Sequence, residues 1–374
     1  MCVVKIVDEA DWRDAFGITH SGRFHADEVF ATVMLARLFR SLFSLAEGDC
    51  FTVCRTRDER KIAAAVDDGF VVYDVGGQYD VEKKLFDHHQ KDFDERRKSS
   101  TLYATAGLIW KTYGPEYVQL YAIENGFTSI DKKMCQAAAE TVDRMLIEGS
   151  DAQDNGVTQN RLSMSVSSAI EMLNPTNQQK RLANYLSIDK SLSSTATENA
   201  YFLNACMIAK NFLDSAVANA VEKELERKQI IDLLRRTSKD SCYLILNEDF
   251  SCWREIMLEL SKPKNDSRLE REVASRAAKL SFCVFPRGSG ESKVWCAQAI
   301  PPSKNKMMEQ RESFPKNWRG LKGEELERAT GVKQAIFCHA NGFFVTARTS
   351  LGAMTLATYA HELNKKEKAR NFST

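Results

Sequence analysis

Apolar residues in the first quarter of the chain fall in short continuous runs separated by stretches with helical spacing. The strand-like runs are Ala15–Thr19, Phe51–Arg55 and Phe70–Asp74, and the helix candidates between them are Ala26–Phe43 and Glu59–Val66. This strand–helix–strand–helix–strand order predicts an α/β fold: a parallel sheet with helices on both of its faces.

The pattern changes along the rest of the chain. Helices are predicted from Ser100 to about Ser150 and from Ser193 to about Arg236. The strands predicted beyond them are Tyr243–Leu246, Leu280–Phe285, Lys293–Ile300 and Ala335–His339, and the helices are Trp253–Leu260, Gly323–Ala329 and Gly352–Leu363. We therefore expect an N-terminal domain over residues 1–190, a helical connector over 191–240 and a smaller C-terminal α/β domain over 241–374.

Composition places the chain among globular proteins. It has 374 residues, of which 43% are apolar and 28% charged, and this excludes wholesale disorder and collagen-like structure. No apolar run approaches the roughly 18 residues of a membrane span, so we expect no membrane partner. Four of the six histidines lie within the first 90 residues.

The net charge of +1 hides an asymmetry between the two halves. Residues 1–160 contain 19 basic and 27 acidic side chains, whereas the remainder contains 33 basic and 24 acidic ones. An acidic half suits cation binding and a basic half suits a polyanion, although charge alone favours the simpler explanation of two solvated surfaces with uneven composition.

Cysteine usage indicates a reducing compartment. The ten cysteines show no spacing typical of a zinc ribbon or a disulfide framework. The N-terminal residues are acidic and carry no clear presequence, so we expect an intracellular protein of the cytoplasm, nucleus or mitochondrion.

Residues suited to bind a transition metal concentrate in four short segments, which are Thr19–Glu28, Asp74–Gly77, Asp87–Gln90 and Asp151–Gly156. The first three follow strand-like runs, and loops beyond the carboxyl ends of parallel strands converge on one crevice. Imidazole and carboxylate together suit Mn²⁺, Fe²⁺, Co²⁺ or Zn²⁺, and a carboxylate is able to bridge two ions. Taken singly, Asp27 is explained as a helix cap and Asp74 as a strand-end turn; four segments together predict a metal site.

These segments belong to a longer set of strings that resembles a known family. The strings are THSGRFHADE (19–28), VVYDVGGQYD (71–80), FDHHQKDF (86–93), SDAQDNG (150–156), LNP (173–175), WRGL (318–321) and FCHANGF (337–343). They are similar to the melanocyte-proliferating-gene exonuclease family, formerly described as metal-dependent protein hydrolases and a branch of the DHH phosphoesterase superfamily. The resemblance runs from Thr19 to Ala360.

The resemblance implies a two-lobed phosphoesterase with a metal-binding catalytic domain at 1–190 and a substrate-binding domain at 241–374. It further implies a 3′-to-5′ exoribonuclease of RNA processing in nucleus and mitochondrion that acts on single-stranded RNA. Two Mn²⁺ ions would serve as cofactors, with Mg²⁺ or Co²⁺ as substitutes. The alternative is a small-substrate phosphoesterase or pyrophosphatase on the same fold; a non-catalytic RNA-binding protein and a protein hydrolase fit the residues less well.

The resemblance also implies a role for each residue of the metal segments. One ion would be held by His20, His25 and Asp74, and the other by Asp27, Asp74, His88 and Asp151, with Asp74 bridging the two. His89 would face the scissile phosphate, and Asp87 would orient a histidine. Asp154 competes with Asp151 as the ligand from the fourth segment.

In the C-terminal domain, the resemblance makes His339, Asn341 and Gly342 candidate substrate contacts and Arg348 a candidate phosphate clamp, since a guanidinium fork suits phosphate. A strand-end histidine and a surface arginine are the alternatives for His339 and Arg348. Trp318 is either a base-stacking platform or a packed loop residue. Where the family pattern carries two glycines after the HANGF string, this chain has Phe344–Ala347, which favours an altered length preference or weaker nucleic-acid binding.

Overall fold

The computed structural model describes residues 4–43, 50–157, 164–186, 194–262 and 267–371. The chain divides into two units, Met1–Glu222 and Lys223–Thr374. The division lies within the 43-residue helix α8 (Ser194–Arg236) and inside the 191–240 segment, whereas the expected boundary near residue 190 lies outside the described residues. In the part of the chain that is described, no helix has the length and apolar character that crossing a membrane requires.

The first unit alternates short strands with longer helices. In chain order its elements are β1 Val4–Val7, β2 Gly17–Thr19, α1 Ala26–Phe43, β3 Phe51–Arg55, α2 Glu59–Asp67, β4 Val71–Tyr73, β5 Tyr79–Asp80, β6 Leu85–Phe86, α3 Thr105–Glu124, α4 Lys132–Val142, a π-helical turn Asp143–Ile147, α5 Glu148–Asp154, α6 Val166–Glu171 and α7 Asn177–Leu186. The strands form a six-stranded sheet in the order β1-β3-β2-β4-β6-β5. All neighbours pair in parallel except β5, which runs antiparallel to β6.

Successive side chains of each strand point to opposite faces of this sheet, and different helices pack on the two faces. Toward α1, the ring of Phe51 lies 5.8 Å from that of Phe39, and the Tyr73 hydroxyl hydrogen-bonds the Thr32 hydroxyl at 2.7 Å. On the opposite face, α2 packs into a buried apolar cluster that includes Ile18, Cys54, Ile62, Ala65 and Val72. Parallel strands buried on both faces explain why these runs are continuously apolar.

The second unit is a five-stranded sheet with helices on both faces. Its elements are β7 Tyr243–Ile245, α9 Trp253–Leu260, α10 Arg268–Lys279, β8 Phe282–Arg287, β9 Val294–Ala299, α11 Gly323–Thr330, β10 Ala335–Cys338, β11 Phe344–Ala347 and α12 Ser350–Asn371. The strand order is β10-β11-β9-β8-β7, antiparallel except for the parallel β7–β8 pair. One apolar cluster contains α11 and α12, and another contains α9, α10 and the end of α8.

Several elements were not predicted from the sequence. β1 is a four-residue edge strand with one exposed and three half-buried residues, so its pattern is weak. Helix α10 is strongly charged and buries only Val273, Ala274 and Ala277, which leaves little apolar periodicity to detect. The segment 344–347 is β11, which pairs with both β10 and β9 and therefore forms an interior strand of the sheet.

Helix α12 offers a matched test of the second core. Leu356 is completely buried, whereas Leu351, one and a half turns earlier on the same helix, is 68% exposed. We expect Leu356→Ala to lower the free energy of unfolding by about 2–5 kcal/mol, because it leaves a cavity. Leu351→Ala should change it by less than about 0.5 kcal/mol. Urea unfolding followed by circular dichroism measures both, and equal effects would contradict the packing of α12.

Candidate metal centre

The parallel register of the first sheet brings three of the predicted segments to one edge. His20 directly follows β2, Asp74 follows β4, and Asp87–His89 follow β6. Since β2, β4 and β6 are adjacent parallel strands, their carboxyl ends meet at this edge. The fourth segment arrives from elsewhere, because Asp154 is the last residue of α5.

Asp74 lies between two of the histidines. Its backbone has a φ of 57°, in the left-handed region that non-glycine residues rarely adopt and that often marks functional sites. Its Oδ2 lies 3.3 Å from His20 Nε2, and its Oδ1 lies 3.7 Å from His88 Nε2. The two oxygens of one buried carboxylate thus face two different imidazoles.

The first group of candidate ligands comprises His20, His25, Glu28 and Asp74, and one ligand atom from each lies within 4.8 Å of the others. Glu28 was not among the predicted ligands. Its Oε1 lies 2.9 Å from His20 Nε2, and its carboxylate also accepts a hydrogen bond from the His25 backbone N–H at 3.0 Å. Glu28 is the third residue of α1 and lies three residues after His25, which precedes the helix; this is the spacing of the Glu in a capping box, and it is the sequence feature that points to Glu28.

A second group comprises Asp27, His88 and Asp154, and a third group, Asp74, Asp87, His88 and His89, shares Asp74 with the first and His88 with the second. His88 Nε2 lies 3.2 Å from Asp154 Oδ2 and 4.0 Å from Asp27 Oδ2. Asp27 itself is fixed by the first amides of α3, since Thr105 N–H donates to its Oδ2 at 2.9 Å and Ala106 N–H to its Oδ1 at 2.7 Å. An anion at a helix N-terminus is stabilised by unpaired amides and by the helix dipole.

Asp151 has different partners. Its Oδ2 lies 2.6 Å from Arg97 Nη1, and its Oδ1 accepts from the Gly107 N–H at 3.0 Å. It is completely buried, and burial raises its pKa to about 7 in spite of Arg97. The structure therefore places Asp154 with the candidate ligands, whereas Asp151 forms an ion pair beside them.

Asp87 and His89 form a pair at the rim of the site. Asp87 Oδ1 lies 2.6 Å from His89 Nδ1, and Asp87 Oδ2 accepts from the Gly77 N–H at 2.6 Å. Asp87 is buried, whereas the His89 side chain is 61% exposed. The carboxylate thus orients an imidazole whose other face is open to a ligand, and it raises the pKa of His89.

The charges of the site are strongly coupled. Burial opposes protonation of His20, but Glu28 and Asp74 raise its pKa to about 10. His88 behaves alike, because Asp154, Asp74 and Asp27 raise its pKa to about 11. Burial and the neighbouring carboxylates raise the pKa of Asp27, whereas the two histidines that face Asp74 lower its pKa despite its burial.

These residues fit divalent cations. His88 Nε2 is buried without a hydrogen-bond partner, since none of the carboxylates near it is aligned to accept its proton. A buried ring nitrogen facing carboxylates, with Asp74 shared between two groups, is the arrangement expected of a two-ion site. The mixed nitrogen and oxygen donors suit Mn²⁺, Fe²⁺, Co²⁺ or Zn²⁺.

The substrate contacts predicted in the second unit fall at two places. His339, Asn341 and Gly342 share the turn between β10 and β11, where His339 Nδ1 accepts from the Asn341 N–H at 3.1 Å. Arg348 lies at the other end of β11, roughly 13 Å away at the usual rise per strand residue. It is exposed, and its Nη1 donates to the Glu291 carbonyl at 3.1 Å.

The turn is built on the WRGL string. The Arg319 Nε–H donates to the Phe314 carbonyl at 3.0 Å, and a Cβ added at Gly342 would lie 2.5 Å from that nitrogen. The glycine, with a φ of 66°, therefore leaves space for the arginine. Trp318 is only 2% exposed, so of its two interpretations the packed loop residue agrees with the structure.

A mixed α/β chain with a histidine–carboxylate cluster at the carboxyl edge of a mostly parallel sheet belongs to the class of candidate metal-dependent hydrolases. The family model MYG1_exonuc, described as Uncharacterised protein family (UPF0160), matches residues 17–360. The chain therefore belongs to this family.

The MYG1 protein of Schizosaccharomyces pombe is 29% identical over 91% of this chain and 96% of its own length. The MYG1 exonuclease of Bos taurus is 28% identical over 91% of this chain and 82% of its own. A solved pGpG-specific phosphodiesterase from Vibrio cholerae is 11% identical and covers 93% of this chain and 98% of its own, but its TM-score of 0.25 is too low to define a common fold.

Asp154, the last residue of α5, provides a test of the candidate ligand set. We expect Asp154→Asn to weaken Mn²⁺ binding by about 10- to 100-fold, because it removes a ligand charge beside His88. Asp94→Asn, at a side chain that is 72% exposed, is the control and should leave the affinity unchanged. Isothermal titration with Mn²⁺ measures both, and wild-type affinity in Asp154→Asn would remove this residue from the ligand set.

Proposed function

We propose that this chain is a metal-dependent phosphodiesterase, and specifically a Mn²⁺-dependent 3′-to-5′ exoribonuclease that acts on single-stranded RNA in RNA processing. The observation that carries the proposal is Asp74, whose two oxygens face His20 and His88 in two adjacent ligand groups. Membership in a family whose mammalian relatives are named exonucleases supports the nucleic-acid substrate.

The ligand assignment follows the two groups. His20, His25, Glu28 and Asp74 would hold one ion, and Asp27, His88 and Asp154 the other. Asp74 would join the second set as well, because its Oδ1 lies 3.7 Å from His88 Nε2. Asp154 replaces Asp151 in this assignment, because Asp151 is already neutralised by Arg97. When bound, the two ions supply activation of the attacking water and neutralisation of charge on the phosphate.

The chain's own residues have three further tasks. Asp74, with its left-handed backbone conformation, places one carboxylate oxygen near His20 and the other near His88. The exposed His89 donates a hydrogen bond from its ring to a non-bridging phosphate oxygen, where negative charge grows during in-line attack. Asp87 keeps that ring oriented, since its own carboxylate is fixed by the Gly77 amide.

In the second unit, we propose that His339, Asn341 and Gly342 contact the substrate together, because they share one turn. Arg348 lies at the opposite end of β11 from this turn, and it would contact a different phosphate of the RNA. Where the family pattern has two glycines, this chain has β11, an interior strand of the sheet. The backbone groups of β11 pair with β9 and β10, so we propose that they do not approach phosphate.

A labelled substrate tests the proposed reaction. We expect the protein with Mn²⁺ to convert 5′-labelled single-stranded RNA into a descending ladder with one-nucleotide steps, and a chelator to abolish the ladder. Phosphate release from pyrophosphate without a ladder would instead support a small-substrate phosphoesterase. A 3′-labelled RNA that shows a ladder while the 5′-labelled one loses only its terminal nucleotide would reverse the polarity.

The bridging carboxylate provides the sharpest variant. We expect Asp74→Ala to reduce Mn²⁺-dependent turnover by at least about a thousandfold, because both ligand groups lose a shared charge. Asp94→Ala, at an exposed position outside the site, should retain turnover within about twofold. Turnover of Asp74→Ala within a few-fold of the parent would contradict the two-ion assignment.

A further inference from the structure

The helix that carries Asp154 is interrupted by a π-helical turn. α4 ends at Val142, the turn covers Asp143–Ile147, and α5 continues directly to Asp154. A π-helical turn adds one residue to a stretch of α-helix, and such turns are frequent at functional sites. Because one residue corresponds to about 100° of rotation in an α-helix, the turn sets the direction in which α5 side chains point.

Arg97 connects the first residue of this turn to α5 beyond it. Its Nε–H and Nη2–H donate to the two carboxylate oxygens of Asp143 at 2.9 and 2.7 Å, and Asp143 is the first residue of the turn. Its Nη1–H donates to Asp151 Oδ2 at 2.6 Å, beyond the turn in α5. The Arg97 side chain is 5% exposed and lies 4.1 Å above the Tyr103 ring, so its position is fixed by packing as well as by charge.

Asp151, the α5 partner of Arg97, also packs against the start of α3. Asp151 Oδ1 accepts from the Gly107 N–H at 3.0 Å. A Cβ at Gly107 would lie 1.8 Å from Asp151 Oδ2 and 2.7 Å from Arg97 Nη2, so only glycine permits this approach. The two preceding amides of α3 bind Asp27. Three successive amides therefore place Asp27 and α5 relative to each other.

We propose that Arg97 is a positioning residue that locks the π-helical turn and so directs Asp154 toward His88. Asp151 and Asp154 are three residues apart in α5 and share one face of the helix. Holding Asp151 against Arg97 and Gly107 thus fixes the rotation at which Asp154 reaches His88 Nε2 at 3.2 Å. The functional part of this inference rests on the proposed role of Asp154 as a metal ligand.

Mn²⁺ titration calorimetry of four variants tests the lock. We expect Arg97→Met to weaken the second Mn²⁺ ion at least tenfold while the ion on the His20 group is retained. Arg97→Lys should weaken it as well, because one ammonium group does not reproduce a fork that binds two carboxylates. Arg96→Met removes the neighbouring arginine, which pairs with Asp94 at the surface, and should bind both ions as the parent does.

The double variant Arg97→Met/Asp151→Asn distinguishes two roles of Arg97: holding α5 in position, and only neutralising the buried charge of Asp151. It leaves no buried carboxylate unpaired at position 151, so it is expected to fold even if Arg97→Met does not. If the lock is correct, the double variant still binds the second ion at least tenfold more weakly. Parent-like Mn²⁺ affinity in either Arg97→Lys or the double variant would overturn the proposal.

A crystal structure of Arg97→Met, or of the double variant if Arg97→Met does not fold, gives a result that does not depend on metal binding. We expect residues 143–147 to become regular α-helix and Asp154 Oδ2 to move away from His88 Nε2, beyond the 3.2 Å of the parent. Retention of both the π-helical turn and this distance would overturn the lock. A parent protein that binds no Mn²⁺ would instead overturn the proposed function, and the crystal structure would still decide the role of Arg97.

Discussion

The first unit depends on how it accommodates negative charge away from water. Asp27, Glu28, Asp74, Asp87 and Asp151 are all buried, and Asp154 lies beside them. Buried carboxylates that lack partners are costly, so each of these has its own compensation. Amides of α3 hold Asp27 and Asp151, the Gly77 amide holds Asp87, Arg97 neutralises Asp151, and the histidines face the remainder.

The negative charge of these carboxylates is not fully compensated, and the uncompensated part lies around His88. His88 Nε2 has carboxylates nearby but no aligned acceptor. Burial and repulsion from Asp154, Asp74 and Asp151 raise the pKa of Asp27. Divalent cations bound among these carboxylates would relieve this repulsion. The parallel sheet supplies three of the four segments, so strand pairing by itself brings these candidate ligand atoms together.

Helix ends and helix irregularities carry the fourth segment. The start of α3 binds two carboxylates from α1 and α5, and the π-helical turn determines which residue of α5 faces the histidines. In the second unit, the HANGF turn depends on a contact of the same kind, in which Gly342 leaves space for Arg319 below it. In both units, a glycine permits the close approach of an arginine or aspartate that fixes a candidate site segment.

The sequence by itself determined the alternating elements of the first sheet and the histidine–aspartate strings, because strand periodicity and strand-end polar residues are local properties. From them, the convergence of His20, Asp74 and His88 was predictable. Glu28 and Arg97 were not recognised, since each acquires its role through partners on other segments. The choice between Asp151 and Asp154 was also beyond the sequence. Both are acidic residues of one short helix, and only the tertiary packing of Arg97 and Gly107 against that helix decides which carboxylate pairs with an arginine and which faces His88.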